Sequence, residues 1–157
     1  MSDVIEQTPR ATARRGPRFA SWTLRIITAG ALAVDAWVHL DLATRYDPNR
    51  GTGPLSEGDL FRIEAVVSGL VALALLVSGR RVAWIAAWLV AASAVGAILL
   101  LRYHDPGRLG PLPDMYEPVW FREKAIAGVA EGLALVTATL GLTGHWWRSH
   151  SAAERSV

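Results

Sequence analysis

Asp35 and His39 stand four residues apart within an apolar stretch of this 157-residue chain, and Glu131 stands within another. A spacing of four puts two side chains on one helical face, a turn apart. Asp35 and His39 therefore make a carboxylate–imidazole pair wherever their stretch is helical. Such a pair can hold a proton, fix the polar head of a ligand or offer donor atoms to a metal. An ionised carboxylate at mid-membrane costs about 2.5–3.5 kcal/mol even on insertion scales, so it survives when paired, protonated or turned toward a wet cavity. Asp35 and Glu131 are expected to face the protein interior, whereas Asp41 lies nearer a helix end and on another face. Arg62 and Glu64 open a second apolar stretch, Arg102 closes a third, and Arg122, Glu123 and Lys124 open the last. The simplest arrangement gathers Asp35, His39, Glu64, Lys124 and Glu131 into one polar cluster, with Arg102 as a further candidate.

Several readings use these groups. A small amphiphile, such as a quinone or a lipid head group, could place its polar end on the cluster and its tail against aliphatic walls. Protons or ions could move through Asp35 and Glu131, although no further carboxylates lead on toward the other face. Asp35, His39 and His104 could bind a metal or haem, but their spacing is not diagnostic and His145 and His150 lie near the far end of the chain. Against all three stands a structural reading. A Lys124–Glu131 or arginine–Glu64 pair would simply hold helices together, at about 1 kcal/mol per interhelical polar contact. Glu64 also gains from the positive end of its helix dipole. An accessory or scaffold subunit of a membrane complex, or a homo-oligomer, needs no more than that. Small residues such as Ala86, Ala87, Ala91, Gly96 and the Gly128–Gly132 pair suit close helix packing, within the monomer first.

The elements that must position these groups follow from composition. Fifty-two per cent of residues are hydrophobic and 19% charged, and mean hydropathy is +0.26. The apolar residues gather into runs of roughly 17–23 residues, each enough to cross about 30 Å of hydrocarbon. In lipid every backbone donor must be satisfied within its own segment, so the runs are expected to be helices. The fold class is all-α: an integral membrane four-helix bundle, with helices at about 22–44, 60–78, 82–103 and 120–142 within a membrane domain of about 19–144. Residues 1–18 read as a disordered cytoplasmic tail and 145–157 as a second cytoplasmic tail. A basic start and Ala31-Leu32-Ala33 resemble a signal peptide, but the run continues past that site, which favours an uncleaved helix.

Arginine sets the orientation. Arg10 to Arg25, the Ser78-Gly79-Arg80-Arg81 turn, Arg148 and Arg155 share one side, cytoplasmic by the positive-inside rule, with both termini there. The loops on the other side mix charge signs, and Trp22, Trp84, Trp146 and Trp147 against Tyr46, Tyr103, Tyr116 and Trp120 mark the two interfaces. Those outer loops resemble each other. Arg45-Tyr46, Gly53-Pro54-Leu55 and Phe61-Arg62 recur as Arg102-Tyr103, Gly110-Pro111-Leu112 and Phe121-Arg122. This order suggests two similar helix–loop–helix halves, an arrangement that often places a site at the interface of the halves. Glycine and proline make both loops turn-rich, and Leu109, Leu112, Met115 and Tyr116 suggest that the second folds back as a cap.

There is no cysteine, which excludes disulfides, thiolate catalysis and cysteine-ligated metal centres. Net charge is +2, and no motif for nucleotide, nucleic-acid or hydrolytic chemistry is present, so the lipid bilayer is an expected partner and nucleic acid is not. With His39-Leu40-Asp41-Leu42 before Tyr46, and then Gly53-Pro54-Leu55, the region from about Trp22 to Leu142 resembles small actinobacterial membrane proteins and, in architecture, the DoxX-like superfamily. That resemblance implies a four-helix bundle associated with quinone-linked redox chemistry. It assigns no catalytic residue.

Overall fold

A computed structural model describes residues 17–153, with side chains described over 22–144. Its helices are α1 (Pro17–Tyr46), α2 (Glu57–Ser78), α3 (Arg81–Tyr103) and α4 (Arg122–Ala153). Within them, Trp22–Tyr46, Glu57–Ser78, Arg81–Tyr103 and Arg122–Gly144 are long and apolar enough to cross a membrane. Ile26, Trp37, Val66, Leu70, Val82, Leu89, Val129 and Val136 point outward and are exposed. An apolar perimeter of that extent is stable in lipid and not in water. The chain is a multi-pass, all-α membrane protein.

Local chemistry sets the helix ends. Ser56 and Asp59 form a capping box: the Ser56 hydroxyl accepts from Asp59 N and the Asp59 carboxylate accepts from Ser56 N. This starts α2 at Glu57, three residues before the apolar run does. Gly79 ends α2 in the left-handed region, with φ of 51°. Arg25 of α1 reinforces that end by donating to the carbonyls of Leu75 at 3.0 Å and Leu76 at 2.9 Å, at the negative end of the helix dipole. α1 and α4 outrun their expected limits of 22 and 142, starting at Pro17 and reaching Ala153. Residues 145–153 continue α4 as helix; 1–16 and 154–157 lie outside the described residues. α4 starts two residues later than expected, because Trp120 is still in the irregular connection.

The helices run alternately up and down. α1 packs against α2 and α4, α3 packs against α4, and α2 and α3 are the loosest adjacent pair. At the end holding the Gly79 turn, the core is close-packed: Leu32, Leu75, Trp84, Ala87, Ala134 and Ala138 are all buried. Trp84 was expected in an interfacial belt and is instead in this core, 2% exposed. The reason is Gly141, whose missing side chain leaves room for the indole. At the opposite end a smaller cluster of Val38, Leu42 and Ala127 is flanked by Tyr46, Phe61, Ile98, Phe121 and Ile126.

The two connections at that end are ordered against each other. Gly53 N donates to Pro111 O at 2.9 Å and Asn49 Nδ2 donates to Asp114 O at 2.8 Å. Side chains at Gly51 or Gly53 would collide with the backbone of Pro111 and Leu112, so glycine permits the contact. Arg62 grips Asp47 with both ends of its guanidinium, at 2.6 and 2.8 Å, and reaches Asp59 at 3.2 Å. Pro113 is fully buried. The second loop folds back through Leu112, Pro113 and Met115, which are buried or half-buried, whereas Leu109 and Tyr116, also expected in the cap, are exposed.

Candidate functional site

A cavity of about 300 Å³ lies beneath the paired loops. Val38, His39, Leu42 and Tyr46 face it from α1, and Glu57, Leu60, Phe61 and Glu64 from α2. From α4 come Lys124, Ala127 and Glu131, and Phe121 joins them from the residue just before that helix. Small residues of α3, Ser93, Ala94 and Ala97, form the wall opposite α2. Ser93 and Ala97 are also exposed, so the cavity meets the lipid-facing surface along the loose α2–α3 seam. Its walls are chiefly aliphatic and aromatic, with charged groups at the two ends.

The deep end is the polar layer between the two apolar clusters. At 1.5 Å per residue, Asp35 lies roughly 16 Å below the end of α1 and Glu131 roughly 13 Å below the start of α4, near mid-membrane. Asp35 is 0% and Glu131 1% exposed. Ser68, one turn beyond Glu64, donates to Asp35 Oδ2 at 2.8 Å and sits 3.3 Å from Glu64 Oε1. Its single proton goes to the nearer acceptor, so Ser68 ties Asp35 while touching Glu64. His39 Nδ1 lies 3.0 Å from the backbone oxygen of Asp35 and 2.9 Å from its Oδ1. The hydrogen bond is to the backbone oxygen, and Oδ1 stands at ion-pair distance; Oδ1 and Glu131 Oε2 are buried acceptors that receive no hydrogen bond. Phe61 closes the other side of His39, edge to face with ring centres 5.2 Å apart.

The shallow end is built differently. Lys124 donates to the backbone oxygen of Glu117, and Asn49 Nδ2 donates to Glu57 Oε2 at 2.5 Å. Glu57 is only 5% exposed because the second loop covers it. One charged side chain from the bundle and two from its rim, Lys124, Glu57 and Glu117, thus edge the cavity near the loops.

Of the residues singled out in the sequence, His39, Glu64, Lys124 and Glu131 line one cavity and Asp35 lies directly behind His39. Lys124 belongs to the shallow end and not to the deep cluster. Among the described residues neither a Lys124–Glu131 nor an arginine–Glu64 ion pair forms; Arg62 is engaged by Asp47 and Asp59 instead. Arg102 is not on the lining and stacks over Tyr103 at 5.0 Å. His104 is exposed at the end of α3, away from the lining. Sequence reasoning missed Ser68 and Glu57. The spacing Glu64–Ser68 carried the signal for the first, since four residues on is the same helical face. Nothing local marks Glu57, because its burial depends on a loop some sixty residues away.

Chemically, the deep end presents carboxylates, an imidazole and a hydroxyl to a largely apolar chamber. That combination can accept hydrogen bonds or balance positive charge, and its unsatisfied oxygens have capacity to spare. Below it, Thr28 and Thr137 meet at 2.7 Å, but Leu32, Leu75, Trp84 and Ala134 fill the bundle toward the Gly79 end. Comparison of the chain with protein-family models, characterised proteins and solved structures finds no match in any of the three.

Proposed function

We propose that this membrane protein binds a small amphiphile, quinone-like or lipid-like, in the cavity between its paired loops and its mid-membrane polar layer. The single observation carrying this reading is the joining of apolar walls to His39, Glu64 and Glu131 in one chamber of about 300 Å³. That volume is at the small end of ligand pockets and suits a head group, or one ring and the start of a tail. The open α2–α3 seam, with Ser93 and Ala97 exposed along it, supports entry from the bilayer. His39 and Glu64 bond the polar head, Phe61 and Phe121 hold it between rings, and Lys124 with Glu117 edges the loop side.

Orientation is part of the proposal. Arg25, Arg80 and Arg81 cluster at the Gly79 end, which supports placing that end and both termini in the cytoplasm and the cavity in the outer half of a cell membrane. An origin by internal duplication is supported by placement: Tyr46 and Tyr103 end α1 and α3, and Phe61 and Phe121 both line the cavity. The same architecture is what a DoxX-like relationship implies. Ion or proton conduction gains no support from the filled core beneath the polar layer. An accessory-subunit role remains the second reading, resting on the absence of any catalytic constellation among the described residues.

Native mass spectrometry of the gently extracted full-length protein tests the binding reading. Wild type is expected to carry an amphiphile, and Ala97→Trp, which fills the chamber from its exposed wall, is expected to lose most of it. Equal occupancy in both, or none in wild type, contradicts the reading. A stoichiometric protein partner in place of the amphiphile favours the accessory role.

A further inference from the structure

The deep end of the cavity has more ligating capacity than a head group uses. Asp35, His39 and Glu131 each offer one donor atom, and these atoms all lie within 4.8 Å of one another. Ligands held at about 2.0–2.2 Å around a tetrahedral ion stand roughly 3.5 Å apart, so modest side-chain rotation closes the set. The donors come from two helices, α1 and α4, which a bound ion would tie together.

One oxygen in this set is left over by the protein's own bonding: Glu131 Oε2 has no hydrogen-bond partner, in a residue 1% exposed. Asp35 Oδ1, in a residue 0% exposed, also accepts no hydrogen bond, although His39 Nδ1 stands 2.9 Å away. The remaining atoms are arranged as an outer shell. Ser68 holds Asp35 Oδ2 at 2.8 Å, and the His39 tautomer that donates from Nδ1 to the Asp35 backbone oxygen at 3.0 Å keeps a lone pair on Nε2. Metal-binding histidines and carboxylates are oriented by bonds of this kind. Charge points the same way. Two carboxylates and a neutral imidazole around a divalent ion sum to zero, which removes the penalty of placing acids at this depth. One nitrogen and two oxygens suit zinc, manganese or ferrous iron better than the all-oxygen preference of calcium or magnesium.

We propose that Asp35, His39 and Glu131 bind one divalent first-row transition-metal ion at the floor of the cavity. The fourth position faces the chamber, within reach of Glu64 or of whatever polar group enters. The ion shares His39 and Glu131 with the floor of the amphiphile chamber, so with the ion bound the head group meets Glu64 and the ion's open position; metal retention itself needs no amphiphile.

The test is a titration of the full-length protein in lipid nanodiscs, stripped with a chelator and then given Zn²⁺ or Mn²⁺, read by elemental analysis after gel filtration and by thermal unfolding. Wild type is expected to retain about one ion per chain and to unfold at a higher temperature with it. Glu131→Gln and His39→Ala should weaken retention at least tenfold, and Ser68→Ala, which only orients Asp35, by about 10–100-fold. Wild type retaining no more metal than empty nanodiscs overturns the proposal, and so does Glu131→Gln retaining as much as wild type. The wild-type result needs no variant to fold. Lipid occupancy measured on the same sample reports on the amphiphile separately.

Discussion

At the residue scale, the decisive feature is that acidic groups buried near mid-membrane are matched by a serine and a histidine and not by lysine or arginine. Asp35 takes Ser68 and His39, and Glu131 shares their layer with one oxygen unbonded. The only carboxylates gripped by arginine among the described residues are Asp47 and Asp59, at the loops. There the hydrogen-bonded Arg62 guanidinium holds the Asp47 carboxyl below its ordinary value, against an opposing effect of desolvation. A depressed folded value contributes stability above the unfolded value, near pH 4, and loses it as pH falls through the folded one. The melting-temperature difference between wild type and Arg62→Gln is therefore expected to be constant above about pH 5 and to shrink on acidification below about pH 4. A difference that persists unchanged to pH 2 contradicts the role given to this pair. Asp35, His39 and Glu131 were legible in the sequence because a charged residue in an apolar run must be accounted for. Ser68 was not, because a serine in an apolar helix satisfies itself against its own backbone as readily as against a neighbour.

At the element scale, helix existence was plain from run length, while helix ends and contacts were set by features that hydropathy does not register. The Ser56–Asp59 capping box moves the start of α2. Trp84 looked interfacial because it opens a helix beside two arginines, yet it is drawn into the core by a glycine in α4. This contact makes a sharp prediction. A β-carbon at Gly141 would overlap the Trp84 ring, so Gly141→Val should destabilise by about 1–3 kcal/mol through overpacking. Trp84→Ala should cost about 3–5 kcal/mol through the void it leaves. The double variant should cost less than the sum, since each change relieves the other. Thermal or denaturant unfolding in detergent measures all three, and simple additivity would show that the two residues do not share this space.

At the scale of the whole molecule, the bundle is asymmetric in packing: tight between α1 and both α2 and α4, loose between α2 and α3. The seam runs past the small Ser93, Ala94 and Ala97 of α3, whose larger Ile98 and Leu101 also line the cavity. Composition alone could not reveal it, because small residues serve equally for close packing and for leaving a gap. The cysteine-free sequence makes orientation directly testable. Single cysteines at Thr52 and Ser78 should react with impermeant reagents from opposite sides of the membrane, Thr52 from outside intact cells. Labelling of both from one side contradicts the four-span arrangement, and labelling of Ser78 alone from outside inverts it.

The central claim is that the mid-membrane acids form the floor of an occupied chamber, not a sealed knot between helices. An experimental structure of the full-length protein in lipid nanodiscs measures this most directly. Density is expected to fill the space between Phe61, Phe121 and Ala97, in contact with His39 or Glu64. A collapsed chamber, with Phe61 packed on Ile98 and Glu131 bonded only to Asp35, would contradict it.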